Sequence, residues 1–214
     1  MWIVAAIAAL LAKTDPPART ADAYLPPVVL VHGIHGTGKD MVRLAGLLQA
    51  DGRRVFIPTL QNANGTVPIE QLSDQLERYI REEVRSECID LVGYSMGGIV
   101  SRHYGQRKDK SAKIRHLVTL SSPHQGTWTA HIHFGPATRQ MRRGSEFLKQ
   151  LDKAHRDPSA PRLISFWTTT DLIILPASSS KVEGASNRHH CGLGHISFIL
   201  EKRHIMKVVA ALRE

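Results

Sequence analysis

The sequence predicts an α/β domain in which a mostly parallel sheet is covered by helices on both faces. Short apolar runs, clearest at Val28-Val29-Leu30-Val31, suit strands buried on both sides, and longer stretches with apolar residues at helical spacing lie between them. The two kinds of segment alternate along the chain rather than segregating, which is the order of βα units. With 214 residues, 42% hydrophobic and 22% charged, the chain has the size and composition of one globular domain with a short tail; disorder, collagen and coiled coil are excluded.

The tail is residues 1–23. Its apolar run 2–12 is too short to span a bilayer as a straight helix and suits the apolar region of a secretory signal. Ala21-Asp22-Ala23 offers a cleavage site, yet no Lys or Arg precedes the run, so a packed N-terminal helix is the other reading. The expected location is secreted, periplasmic or membrane-associated. Residues 24–214 form the domain proper. Val28–Val31 is the first strand, and Met41, Leu44, Leu47 and Leu48 mark a helix over 39–50. Asp51-Gly52 ends it before a strand at 54–57, which Pro58 closes. Thr66 is the expected N-cap of a helix with Pro68 in its first turn and a stripe of Ile69, Leu72, Leu76, Tyr79, Ile80 and Val84. A strand at 89–92, a helix at 96–104, a strand at 114–120, a helix at 137–151 and a strand at Leu163–Trp167 follow, and a last helix comes after His195. The connections 121–136 and 171–194 are long enough to be functional loops.

The strand at 89–92 runs into Gly93-Tyr94-Ser95-Met96-Gly97, a G-x-S-x-G sequence that opens a helix. A sharp strand-to-helix turn of this kind exposes a strained serine, and its glycines admit close backbone approach. A nucleophilic Ser95 needs a base, and an acid to orient that base, both downstream in the chain for this architecture. Asp171 stands just past the strand Leu163–Trp167, at the sheet end where parallel sheets place their sites. Of the twelve histidines only His189, His190, His195 and His204 follow it, and His195 sits in the glycine-rich Gly192-Leu193-Gly194-His195 before the last helix. His204 reads as an exposed mid-helix residue. Oxyanion donors are expected at the amides of Met96 and of Ile34, the latter in His32-Gly33-Ile34 after the first strand. Trp128, Ile132 and Phe134 are candidate lining for an acyl substrate, with core or rim packing as the equal alternative.

The same first loop also spells G-x-x-x-x-G-K over 33–39, followed by Asp40 where a phosphate-binding loop has Ser or Thr. That rival leaves Ser95, Asp171 and His195 unexplained. His131-Ile132-His133 and His189-His190-Cys191 hold zinc-type ligands without a recognised spacing, so no metal and no cofactor is expected. The net charge is +9, and its basic stretches lack interleaved aromatics, so nucleic acid is not an expected partner; a solvated basic face is the default reading, and contact with an anionic membrane surface is the other. Cys88 and Cys191 fit either free thiols or one bridge.

At these residues the chain resembles the α/β-hydrolase fold, and within it the small bacterial triacylglycerol lipases and esterases that lack a large lid. The resemblance runs from about Pro26 to the C-terminus. Val31-His32-Gly33 resembles the oxyanion loop, Gly93–Gly98 the nucleophile elbow, and Ser122-Pro123-His124-Gln125-Gly126-Thr127 the T-P-H-x-G-S stretch. Asp171-x-x-Ile174-x-Pro176 resembles the acid's D-x-x-V-x-P, and Gly194-His195 the terminal G-H. Tyr94 and Ser122 depart from the usual His and Thr. The resemblance implies a monomeric hydrolase of lipid or acyl esters, with Ser95 as nucleophile, His195 as base, Asp171 as acid, no cofactor, and an open site without strong interfacial activation. In that fold Cys88 and Cys191 lie apart and stay free. A thioesterase, phospholipase or deacylase would use the same residues, and a binding domain without catalysis is the alternative of a different class.

Overall fold

In the computed structural model, which describes residues 25–192 and 194–214, the chain forms a six-stranded sheet ordered β2-β1-β3-β4-β5-β6. Every neighbouring pair is parallel. The strands are β1 (Val28–Val31), β2 (Val55–Phe56), β3 (Cys88–Tyr94), β4 (Lys113–Leu120), β5 (Leu163–Trp167) and β6 (Ser186–His189). The helices are α1 (Val42–Ala50), α2 (Ile69–Tyr79, continued by a π turn over Ile80–Val84), α3 (Met96–Gln106), α4 (Pro136–Gln140), α5 (Glu146–His155), α6 (Ser197–Leu200) and α7 (Lys202–Ala211). The signal-like tail at 1–23 lies outside the described residues.

All four residues of β1 are fully buried, and the two-residue period of a strand explains why none is polar. Val28 and Leu30 meet Met41, Leu44 and Leu48 from the α1 side and Ile205, Val208 and Leu212 from the α7 side. Val29 and Val31 point the other way, into a cluster with Leu72 and Leu76 of α2, Ile99 of α3 and Leu151 of α5. Each of these side chains contributes roughly 1.5–3 kcal/mol on burial, so the sheet is stabilised through both faces. At the edge remote from the strand ends that carry the loops, buried Asp90 accepts from Arg53 and Arg115, and both arginines also donate to the Leu212 carbonyl. This knot ties the end of α7 to β3 and β4.

Several boundaries differ from the sequence reading. The expected loop 171–194 contains the edge strand β6, whose Ser-Asn-Arg-His sequence has no apolar pattern because neither face is fully covered there, its side chains alternating between half-buried and exposed. The expected helix 137–151 is two helices, broken at Gly144 with φ +73°; Ser145 caps the second by accepting from the Leu148 amide. Thr66 is not an N-cap: its hydroxyl donates to Asn64, and the first amide of α2 donates to Gln140 Oε1 instead. The chain after His195 forms two helices because Glu201 takes an extended conformation. His204, expected to be exposed, is 2% exposed and packs on Phe198. Cys88 and Cys191 are free.

The chain leaves β1 toward β2 on one side, and β3 lies on the other. A crevice therefore opens beyond the carboxyl ends of β1 and β3, where connections diverge.

Candidate active site

Ser95 occupies the turn between β3 and α3 with φ 54° and ψ −124°, a conformation that costs a non-glycine residue about 1–3 kcal/mol. Its neighbours hold it there. The Ser95 amide donates to the Leu120 carbonyl on β4, and its carbonyl accepts from the Gly98 amide. Gly97 lies so close to β1 that a Cβ there would sit 2.3 Å from the His32 carbonyl oxygen. The elbow is thus pressed into the end of the sheet, with Ser95 5% exposed just past the carboxyl end of β3.

His195 comes from the loop before α6. Its Nε2 lies 2.9 Å from Ser95 Oγ and its Nδ1 2.8 Å from Asp171 Oδ2. An ionised carboxylate only accepts, so Nδ1–H donates to Asp171 and Nε2 is left to accept from the Ser95 hydroxyl. Thr170 Oγ1 donates to the Gly192 carbonyl and accepts from the Gly194 amide, fixing the histidine loop to the end of β5. The Tyr94 ring packs 5.1 Å from the imidazole. Burial, with the nearby carboxylates of Asp171 and Asp40, pushes the Tyr94 phenol well above its ordinary value, so this wall stays neutral.

Asp171 is 2% exposed. Burial by itself raises its carboxyl, but the hydrogen bond and charge of His195 and the amides of Ile174 and Ile173 outweigh this and hold it below its ordinary value. It is therefore ionised throughout the neutral range and orients the imidazole. The structure brings Ser95, His195 and Asp171 into one hydrogen-bonded line.

The His32-Gly33-Ile34 loop lies against this line: a Cβ on Gly33 would be 3.1 Å from Ser95 Cβ. Buried His32 sets its course, with Nδ1–H donating to the Gly33 carbonyl and Nε2 accepting from the Leu60 amide at 3.0 Å. Sequence reasoning placed His32 in a motif without a role; only the position of Leu60 reveals one. Among the described residues neither the Ile34 nor the Met96 amide has an acceptor, and Met96 opens α3, where first-turn amides are unpaired.

The phosphate-loop rival fails on geometry. Asp40 turns back to accept from the Thr37 amide, Thr59 Oγ1 accepts from Gly38, Thr37 Oγ1 from Lys39, and the Thr37 carbonyl from Asp40. These four amides are consumed within the chain, as are those of His35 and Gly36, which donate to the Ala63 and Gly33 carbonyls. Trp128, Ile132 and Phe134 are 59%, 74% and 86% exposed, so they stand on the rim of the crevice rather than inside it. Among the described residues no cluster of three or more His, Cys, Asp or Glu side chains suits a metal.

A family model for palmitoyl protein thioesterases matches residues 27–157, more than half of the chain. The chain belongs to the palmitoyl protein thioesterase family. The match takes in the His32-Gly33-Ile34 loop and Ser95 and ends before Asp171 and His195, which the structure joins to Ser95. A triacylglycerol lipase of Burkholderia plantarii is 27% identical over 136 residues, 58% of this chain and 37% of that one. One of Pseudarthrobacter phenanthrenivorans is 27% identical over 119 residues, 50% and 37% respectively. The chain thus spans about 37% of the length of these curated relatives. Among solved structures, the mature lipase of Bacillus licheniformis aligns with a TM-score of 0.71 at 17% identity, covering 91% of this chain and 96% of that one. A monoacylglycerol lipase of Paleococcus ferrophilus aligns at 0.62 and 19%, covering 88% and 96%. These likenesses show the α/β-hydrolase fold for this thioesterase-family chain.

Proposed function

We propose that the protein hydrolyses carboxylic acyl esters through a covalent acyl-serine. The observation that carries the reading is the unbroken line from Ser95 Oγ through His195 to Asp171, at 2.9 and 2.8 Å. In this scheme Ser95 Oγ attacks the ester carbonyl carbon while His195 Nε2 takes the hydroxyl proton. The charge that develops on the carbonyl oxygen is met by the Ile34 and Met96 amides. Collapse of the tetrahedral intermediate expels the alcohol, which receives the proton from His195. Water, deprotonated by the same imidazole, then releases the acid and restores Ser95. No cofactor takes part in this scheme. The acyl chain would run along the apolar rim formed by Ile34, Trp128, Ile132 and Phe134.

A second reading is favoured by the family match: the scissile bond is a thioester, and a thiol leaves in place of the alcohol. The residue roles are identical, so the two differ only in leaving group and in what the rim accommodates.

The test is hydrolysis of p-nitrophenyl esters from acetate to palmitate, beside a palmitoyl thioester, by the full chain and by Ser95→Ala. Turnover lost in the variant supports the acyl-serine, and the ratio of palmitoyl thioester to palmitoyl ester rates decides between the two leaving groups. A folded wild-type protein inert toward all of them overturns both readings and favours a binding role on this fold.

A further inference from the structure

The apolar side chains left uncovered by the core are not scattered. Of ten exposed large apolar side chains among the described residues, six belong to two loops: Trp128, Ile132 and Phe134 in the first, Leu172, Ile173 and Leu175 in the second. The loops are stitched together. The Trp128 amide donates to the Leu175 carbonyl, the Leu175 amide to Thr127 Oγ1, and the Thr127 and Thr129 hydroxyls both donate to the Ile173 carbonyl. Buried Ile174 and the carboxylate of Asp171, which accepts from two amides of the second loop, pin the assembly to the site. At the far end of the first loop Gly135 packs on Gly65, beside Ile34. The result is a fixed apolar ridge alongside Ser95 and His195. Single exposed apolar residues are ordinary, whereas a contiguous set marks an interaction surface.

Apart from Asp171, the formal charges that the two loops and the segment after the first one carry are positive. No Asp or Glu occurs between Asp109 and Glu146, or between Asp171 and Glu183. From Ser121 to Ser145, which includes the first loop, the Lys and Arg residues are Arg139, Arg142 and Arg143, and between Asp171 and Glu183 the one cation is Lys181. The partners of three of them are neutral: Arg142 donates to the Ala130 carbonyl, Arg143 to Ser179 Oγ while lying over the Trp128 ring, and Lys181 lies over the Trp167 ring. Arg139 is exposed. Among the described residues no helix is long and apolar enough to cross a membrane.

We propose that this ridge docks the protein on an anionic lipid surface, its apolar tips entering the boundary of headgroups and acyl chains and its arginines at the level of the phosphates. Apolar burial and attraction to anionic headgroups are the two contributions that hold a peripheral protein on a bilayer, and the ridge and its basic border supply both. The Ser95 crevice then faces the lipid. This inference stands on the placement of the ridge and is read as binding, so it succeeds or fails apart from the acyl-hydrolase reading.

The experiment is co-sedimentation of the full chain with phosphatidylcholine vesicles, with and without phosphatidylglycerol. Binding is expected on the anionic vesicles and should weaken as salt is raised. Combining Phe134→Ser with Leu172→Ser should lower the partition coefficient roughly tenfold or more, and Arg139→Gln roughly fivefold. Met206→Ser, which removes an equally apolar exposed side chain from α7, should bind as wild type. Brominated lipid should quench the wild type more than Trp128→Phe. Thermal melts matching the wild type establish that each variant is folded. Equal binding to neutral and anionic vesicles, unchanged binding of the double ridge variant, or a dimer that shields Trp128 would each overturn the proposal.

Discussion

His195 Nε2 lies 2.9 Å from Ser95 Oγ across a separation of 100 residues, and Asp171 Oδ2 lies 2.8 Å from the other ring nitrogen. In the proposed mechanism these groups act as a unit. Ser95→Ala should lower kcat on the order of 10⁴ to 10⁶, and Asp171→Asn on the order of 10⁴, because the amide leaves the imidazole in the wrong tautomer. Ester hydrolysis with melts run in parallel checks this; a fluorophosphonate probe should label the wild type and not Ser95→Ala.

Two glycines should respond oppositely to one added methyl. At Gly97 a Cβ would fall 2.3 and 2.4 Å from the His32 and Val31 carbonyl oxygens, both backbone atoms of the elbow's seat. Gly97→Ala should cost about 1–3 kcal/mol or prevent folding. At Gly46 in α1 a Cβ meets open space, so Gly46→Ala should stabilise by about 0.5–1 kcal/mol. Urea denaturation of both variants measures the difference, and equal effects would contradict the close packing of the elbow.

Removing the His32 ring should loosen the oxyanion loop as well as weaken the fold. Its Nε2 is the acceptor for the Leu60 amide, so His32→Ala strands a buried donor at a cost of about 1–3 kcal/mol. The loss of kcat should exceed the loss of apparent substrate affinity, since in the proposed mechanism the Ile34 amide of this loop acts on the developing charge. A variant with normal kcat and stability would remove His32 from this role.

His190 links stability to pH. Partial burial, then the charge of Lys207 and the neighbouring His204, His189 and Arg188, push it down to about 4. Lys207 Nζ lies 2.8 Å from its Nδ1, a contact that suits the neutral ring. The unfolded chain protonates this histidine near 6.5, so between about 4 and 6.5 the unfolded state binds more protons. Stability should be highest above that window and fall as pH drops through it. His190→Gln should make the slope of unfolding free energy against pH shallower by up to about one proton there. An unchanged slope in urea titrations at several pH values would refute the assignment.

The parallel sheet, the elbow and the order of Ser95, Asp171 and His195 are legible in the chain because each rests on local rules. These are an apolar run for a doubly covered strand, a glycine on either side of a strained turn, and a sharp loop at a strand end. Where the local signal vanishes, only the fold decides. The strand β6 is polar because neither of its faces is fully covered, and Gly144 divides a helical pattern that apolar spacing alone would carry through. His204 reads as a surface histidine and is buried because α6 folds over it, an event set by the extended backbone at Glu201.

The sequence by itself determined which residue types were available for chemistry and in what order, since motifs and periodicities are local properties of the chain. The tertiary structure decided which of them meet. It closed the line through His195, turned the amides of 37–40 away from any phosphate, and placed Trp128, Ile132 and Phe134 on a rim beside Leu172 and Ile173. Those outcomes depend on contacts between residues far apart in sequence, and such contacts are made only when both faces of the sheet are buried at once.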